Sequence, residues 1–219
     1  MLVQEIDLLL RRGSREGSKT LTGARALAVF IACGGFYGAV MATFILAPER
    51  ALLVLFCAIK VPILFGCTML LAVPSFYVLS ALRGVSNDFG KVFALLLDYQ
   101  LLVAILLAAL APITALVNLT TPADGYQGVQ FWNSLTFLLA ACIAQLKFTA
   151  RARQLVAKDE RHRLLLRLWS IIYAFIGIQM AWTLRPFIGS PDQAIGFFRP
   201  GKLDNAYVKI FEIFRDLLL

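Results

Sequence analysis

Five long apolar stretches constrain this chain more than any other feature of its sequence. They cover residues 24–46, 51–82, 92–117, 131–148 and 168–187. Each approaches or exceeds the roughly 18 apolar residues that indicate a bilayer-crossing helix. The whole chain is 60% hydrophobic and only 16% charged, whereas a soluble domain balances apolar and polar residues more evenly. The sequence therefore predicts an all-α, polytopic membrane bundle of about five transmembrane helices.

This pattern divides the chain into three parts. Residues 1–22 form a basic amphipathic segment, residues 23–188 form the transmembrane bundle, and residues 189–219 form a tail with a second amphipathic helix. Apolar side chains recur at helical spacing in both end segments, which is typical of helices that lie on a membrane surface, pack on their own bundle or dock a partner. The sequence contains no visible internal repeat of the kind that many transporters carry.

Basic residues are distributed unevenly around the apolar stretches. Fourteen Lys and Arg residues fall within residues 11–25, 83–91 and 147–167, whereas residues 118–130 contain none. Because positive residues favour the cytoplasmic side, we expect a cytoplasmic N-terminus and an external, periplasmic C-terminus in a bacterial inner (plasma) membrane. Topology then explains the net charge of +8, and we expect no nucleic-acid partner.

Lys60 is the first of two ionisable residues inside the apolar stretches. As one helix, residues 51–82 would measure about 48 Å against a hydrocarbon core of roughly 30 Å, and Pro62 and Pro74 offer places to break it. If residues 51–59 lie along the surface or re-enter, Lys60 snorkels to the interface. If the helix crosses directly, Lys60 lies near mid-bilayer, where an ionisable residue is a functional candidate. We expect snorkelling or a structural partner.

Asp98 is the second such residue and lies about two turns into the third stretch. It is either a proton or cation site facing the bundle interior or one half of a buried ion pair that fixes helix packing. Arg83 and Lys91 in the adjoining loop are its expected partners, and we favour the structural pair. A direct contact between Lys60 and Asp98 would require Lys60 to lie near mid-bilayer.

Two glutamines and two glycines are further candidates for contacts between helices. Gln145 and Gln179 lie inside the fourth and fifth stretches and are expected to bond across an interface, each contributing about 1 kcal/mol or less. Gly34 and Gly38 form a small-xxx-small pair that permits close helix approach. That surface serves packing within one bundle as readily as packing between subunits.

Arg185 follows Trp182 by one helical turn and precedes Pro186 at the end of the fifth stretch. Trp and Arg at this depth are typical interfacial anchors, and Pro186 helps the chain to leave the helix. The alternatives are an arginine that binds an anionic lipid headgroup or an acidic partner, and then a pore arginine. We expect the aromatic residues of the tail (Phe187, Phe197 and Phe198) to lay it across the outer face of the bundle.

Motifs of catalysis and metal binding are missing from the sequence. The single histidine, His162, lies among arginines in a predicted cytoplasmic loop, and the four cysteines all fall in apolar stretches without Cys-x-x-Cys spacing. A phosphate loop, a nucleophile elbow and a His-Glu-x-x-His pattern do not occur. We therefore predict no catalytic, cofactor-binding or metal-binding residues and no enzymatic activity.

Three phrases carry a resemblance to a known family: "KVPILFGCTMLLAVPSFYVLSAL" from Lys60, "LAPITALV" from Leu110 and "AWTLRPFIGSP" from Ala181. With the basic amphipathic start and the five spans, they resemble the bacterial branch of the Yip-domain (Ypt-interacting-protein-like) membrane proteins. The resemblance implies a five-helix architecture and non-enzymatic, partner-binding work. Eukaryotic relatives are trafficking adaptors that engage small GTPases, but their Asp-Leu-Tyr-Gly-Pro motif is missing here, so GTPase binding is not implied.

Two functions remain open from the sequence. The first, which we favour, is a non-catalytic scaffold or accessory subunit that binds other membrane proteins, organises lipid, or does both. It would use the lipid-facing apolar surface, the basic 147–167 loop and the two amphipathic ends. The second is a small homo-oligomeric channel or transporter in which Lys60, Asp98 and Gln179 line a path.

Overall fold

The structure is a computed structural model that describes residues 23–44, 50–189, 196–198, 207–208 and 215, apart from the side chains at positions 123, 154, 155 and 158. Every long element in the described part of the chain is a helix: α1 Gly23–Met41, α2 Ala51–Leu82, α3 Phe89–Thr120, α4 Tyr126–Lys158 and α5 Arg161–Thr183. All five are long and apolar enough to cross a membrane. The predicted all-α bundle of five helices is thus confirmed. The amphipathic segment at 1–22 lies outside the described residues, as does most of the tail.

Helix α2 is continuous over its 32 residues although Pro62 and Pro74 lie inside it. A surface or re-entrant section over residues 51–59 is therefore not formed. Proline is tolerated in transmembrane helices where neighbouring groups compensate for the lost backbone hydrogen bond. The ring of Pro62 packs towards Gly34 of α1, where an added Cβ would lie 3.4 Å from Pro62 Cγ.

Helices α4 and α5 extend well beyond the apolar stretches that predicted them. Because α4 continues to Lys158 and α5 begins at Arg161, the predicted basic loop at 147–167 is wrong: this segment is a helical hairpin. Its Ala, Arg, Gln, Leu and Lys residues are strong helix formers, which outweighs their polarity. At the turn, a carboxylate oxygen of Asp159 accepts a 2.9 Å hydrogen bond from the backbone N–H of Arg161, which helps to start α5.

The helices are arranged around α1, which packs against both α2 and α3, while α4 packs on α3 and α5 packs on α2. Past their connecting turn, α4 and α5 diverge from each other. An aromatic cluster joins the four outer helices: the Trp169 ring centroid lies 4.9 Å from Tyr173, 5.5 Å from Phe148, 6.1 Å from Tyr99 and 6.5 Å from Phe76. These side chains bury large apolar areas and fix the helices relative to one another.

The bundle has two distinct ends. We call the end with the α2–α3 turn (residues 83–88) and the α4–α5 turn (159–160) the basic end, and the other the opposite end. At the basic end, α2 ends at Leu82 and is followed by Gly84, whose positive φ of 69° is the left-handed conformation that glycine adopts without strain. The α3–α4 turn and the residues after α5 lie at the opposite end.

Candidate functional site

The ammonium group of Lys60 is enclosed by the chain that follows α5. Lys60 lies nine residues into α2, about 14 Å of helix rise from its first residue, and its side chain is 0% exposed. Its Nζ donates a 2.6 Å hydrogen bond to the backbone carbonyl oxygen of Pro186. The ring centroids of Phe197 and Phe187 lie 5.1 and 5.9 Å from Nζ, within reach of a cation–π attraction. Lys60 thus has a structural partner inside the protein.

Neighbouring residues of α2 hold the same segment. Cys57, one turn before Lys60, donates a hydrogen bond from Sγ to the carbonyl oxygen of Phe187 at 2.6 Å. The ring of Phe56 meets Phe197 edge-on at 5.4 Å between centroids. We call Cys57, Lys60, Pro186, Phe187 and Phe197 the Lys60 site. These contacts hold the start of the tail against α2. The aromatic residues of the tail are expected from the sequence to place it across the bundle in this way.

Arg185 lies beside the Lys60 site but is bound within its own segment. Its Nε donates a 2.9 Å hydrogen bond to the carbonyl oxygen of Trp182. Its guanidinium carbon lies 3.2 Å from the centroid of the Trp182 ring, a stacked arrangement that stabilises a cation. The side chain is half-buried, so its placement suits an anchor that organises the end of α5.

Asp98 forms an ion pair with Arg151 of α4, at 3.2 Å between Oδ2 and Nη1. The two side chains are 29% and 17% exposed, so the pair is largely shielded. The predicted partners, Arg83 and Lys91, are wrong: Lys91 instead pairs with Asp88 at 2.6 Å. Because the sequence placed the end of the fourth helix near residue 148, it put Arg151 in a loop. The added helical turns of α4 carry Arg151 alongside Asp98.

Lys60 and Asp98 do not meet in the structure. Gln100 Nε2 donates to the carbonyl oxygen of Phe65 at 3.0 Å, which aligns α3 with α2. On α2, Lys60 lies five residues from Phe65 towards the opposite end. On α3, Asp98 lies two residues from Gln100 towards the basic end. Lys60 and Asp98 are therefore separated by about 10 Å along the helix axes. Each charge is bound to a different part of the chain, so the two do not form one site.

Four residues, Gln145, Gln179, Gly34 and Gly38, are predicted from the sequence to make contacts between helices, and the structure places each of them differently. Gln145 Nε2 donates to Ser170 Oγ at 2.9 Å and so bridges α4 and α5. The backbone carbonyl of Gln179 accepts the Thr183 hydroxyl at 2.9 Å within α5. Gly38 allows the closest approach of α1 to α2, because a Cβ there would overlap the carbonyl group of Cys57.

A buried polar cluster between α1, α3 and α4 was not found from the sequence. The hydroxyl of Tyr37, which is 0% exposed, lies 3.2 Å from Asn133 Oδ1 and is hydrogen-bonded to the Thr136 hydroxyl. Asn118 donates to the carbonyl oxygen of Val40 at 2.9 Å. Single polar residues in apolar stretches are weak signals in a sequence. These residues lie on three different helices, so their contacts can be inferred only when it is known which helices are neighbours.

His162 is buried rather than placed in an exposed loop. It is 1% exposed in the first turn of α5, and its Nε2 lies 3.5 Å from Asp88 Oδ2 in the α2–α3 turn. Its Nδ1 lies 3.1 Å from the carbonyl oxygen of Asp159. His162 therefore lies next to both turns of the basic end. Across the described residues, no group of three or more His, Cys, Asp or Glu side chains is placed to hold a metal ion.

An open cavity of about 510 Å³ lies between α4 and α5 at the basic end. We call it the hairpin cleft. Its walls carry three arginines and one glutamate (Arg153, Arg163, Arg167 and Glu160) above an apolar floor that includes Phe148, Ala152 and Leu166. The sequence carried one signal for it, the continuation of strong helix formers through the basic segment. It gave no sign that the two helices diverge.

The fold and these sites define a class: the chain is a multi-pass membrane protein. Its described residues include five candidate membrane-spanning helices, and the interior carries bonded polar and charged groups. No protein-family model, no curated protein and no solved structure matches the chain.

Proposed function

We propose that this protein is a non-catalytic scaffold or accessory subunit of a bacterial inner membrane, which binds other membrane proteins, organises lipid, or does both. The observation that carries the proposal is that both intramembrane charged side chains, Lys60 and Asp98, are bonded to other groups of the same chain. Lys60 Nζ is bonded to the Pro186 carbonyl oxygen and Asp98 to Arg151. Each charge thus has a bonded partner within the chain, which is the arrangement expected of charges that hold helices in register.

The outer surface offers contact area for lipid and for other membrane helices. Large apolar side chains on two different helices are widely exposed: Leu70 of α2 (71%), and Phe131 (71%) and Leu146 (72%) of α4. In a membrane protein such side chains face lipid or neighbouring subunits. The basic end adds arginines that suit an anionic membrane surface. The charge distribution supports a cytoplasmic N-terminus and an external C-terminus, and the resemblance to Yip-domain proteins supports partner binding.

The second candidate, a small homo-oligomeric channel or transporter that uses Lys60 and Asp98, is favoured by one observation. The bundle interior carries buried polar side chains between Asp98 and the opposite end of the bundle. They are Tyr37, Gln100, Thr114, Asn133 and Thr136. Polar groups inside a transmembrane bundle are typical of ion and proton routes. Several of these groups bond to one another, however, so we favour the scaffold.

Flux through reconstituted vesicles separates the two functions. We expect purified protein in sealed liposomes to pass potassium ions and protons no faster than protein-free liposomes, and Asp98→Asn to behave like the wild type. An ionophore added at the end of each trace checks that the vesicles are sealed. A wild-type flux that Asp98→Asn reduces or makes less selective would sink the scaffold proposal and assign Asp98 to a path.

A further inference from the structure

The hairpin cleft combines positive charge and apolar surface in one open cavity. Its volume of about 510 Å³ falls within the roughly 300–1,000 Å³ of small-molecule sites. Arg153 on α4 lies six residues before Asp159, and Arg167 on α5 lies seven residues after Glu160. Since each residue adds about 1.5 Å of rise, the two guanidinium-bearing residues stand on opposite walls at nearly the same distance from the turn.

The charge in the cleft exceeds what its own carboxylate neutralises. Glu160 pairs with Arg163 at 3.3 Å, while no carboxylate of the described residues forms an ion pair with Arg153 or Arg167. Three arginines and one glutamate give the lining a net charge of +2. Planar guanidinium groups bind phosphate oxygens through paired hydrogen bonds. An anionic phosphate group is therefore the chemistry that complements these walls.

The floor and surroundings of the cleft are apolar. Phe148, Ala152 and Leu166 line it, together with Gln145 and Ser170, which are hydrogen-bonded to each other. Leu146 and Ile171, next to these residues on the two helices, are 72% and 66% exposed. The cleft thus adjoins the apolar outer surface of the bundle. A ligand that fits must be polar and anionic at one end and apolar at the other.

We propose that the hairpin cleft binds one anionic phospholipid, with the phosphate between Arg153 and Arg167 and an acyl chain against Phe148 and Ala152. This inference deepens the lipid-organising part of the proposed function and rests on it. A membrane-resident lipid is favoured over a free phosphate ion because only the lipid uses the apolar floor. It is favoured over an acidic protein segment because the cleft adjoins the apolar surface of the spans.

Lipid titration of the purified, delipidated full-length protein tests the proposal, with bound lipid read as added mass on the intact chain. Phosphatidylglycerol is the anionic probe, phosphatidylcholine the zwitterionic probe, and inorganic phosphate the probe for a free ion. We expect one phosphatidylglycerol per chain. Because the double variant Arg153→Gln/Arg167→Gln removes both guanidinium groups that would bond the phosphate, it should weaken binding at least about tenfold.

Two further variants make the test specific. Arg83→Gln/Lys91→Gln removes the same charge from the same end outside the cleft and should leave binding within about twofold, because exposed charges contribute little. Thr149→Trp changes no charge and places an indole in the cleft, so it should reduce lipid binding even if the double arginine variant fails to fold.

Several results would overturn the proposal. They are equal binding of the two lipids, equal effects of the cleft and control variants, or binding of inorganic phosphate as tight as that of phosphatidylglycerol. In a separate extraction from native membranes, a cleft variant that loses a protein partner, although it keeps its lipid in the titration, would assign the cleft to that partner instead. Since the lipid titration contains only the chain and added lipid, its failure is distinct from a failure of the scaffold proposal, which would appear as ion flux.

Discussion

At Lys60, a backbone carbonyl oxygen takes the place that a carboxylate would fill in an ion pair. The carbonyl of Pro186 accepts a hydrogen bond from the ammonium group just after the chain leaves α5. Two aromatic rings supply the remaining contacts. Dehydrating an ammonium group costs several kcal/mol unless such partners compensate. The Lys60 site therefore links the position of the tail to the integrity of α2.

Replacing Lys60 with methionine should loosen the tail. Met keeps a long side chain but cannot donate to the Pro186 carbonyl, and a hydrogen bond to a charged group contributes roughly 1.5–3 kcal/mol, so local opening should increase at least about tenfold. The readout is the rate at which a maleimide labels the buried Cys57 thiol, with the other cysteines (Cys33, Cys67 and Cys142) changed to alanine. Lys91→Met, at the exposed basic end, is the control. Unchanged labelling of Cys57 would show that Lys60 does not hold the tail.

The Asp98–Arg151 pair should contribute to stability as a unit. Asp98→Asn leaves a shielded guanidinium without its carboxylate, whereas Asp98→Asn/Arg151→Gln removes both charges. We expect each single variant to lower the thermal midpoint in detergent more than the double variant, with a coupling energy of about 0.5–3 kcal/mol. Strictly additive effects would mean that the two side chains do not interact in the folded protein.

At the scale of single elements, the sequence predicted the positions of the helices better than the residues at which they end. Apolar periodicity located all five helices, yet α4 and α5 run on through a charged segment because helix formation follows local propensity as well as polarity. The partner of Asp98 was missed for this reason alone. Pro62 and Pro74 offer places to bend or break α2, but the helix continues through both. The divergence of α4 from α5 depends on packing with α2 and α3, which no single segment encodes.

Helix α1 depends on Gly38 for its contact with α2. Gly38→Ala should force the two helices apart, since the added methyl group would overlap the Cys57 carbonyl group, and overpacking of this kind costs about 1–3 kcal/mol. Gly34→Ala is the matched control on the same face, because its methyl group would meet only the Pro62 ring at 3.4 Å. Thermal midpoints in detergent compare them. Equal midpoints for the two variants would contradict the packing described for α1.

At the scale of the whole molecule, the interior and the surface of the bundle have different roles. Bonded polar groups and the aromatic cluster around Trp169 hold the helices in place, and the proposed function assigns the apolar exterior and the hairpin cleft to contacts with lipid and partners. The sequence predicted the membrane class and the candidate polar residues. It did not predict the cleft or the cluster around Tyr37, because both are made by side chains far apart in the chain.

The most direct test of the scaffold account is the mass and composition of the complex after gentle extraction from native membranes. We expect a hetero-complex in which this chain is accompanied by at least one other membrane protein, because the account assigns its surface to partner contacts. Protein reconstituted without that partner should pass no ions. A homo-oligomeric ring that contains no other chain and conducts ions would contradict the account.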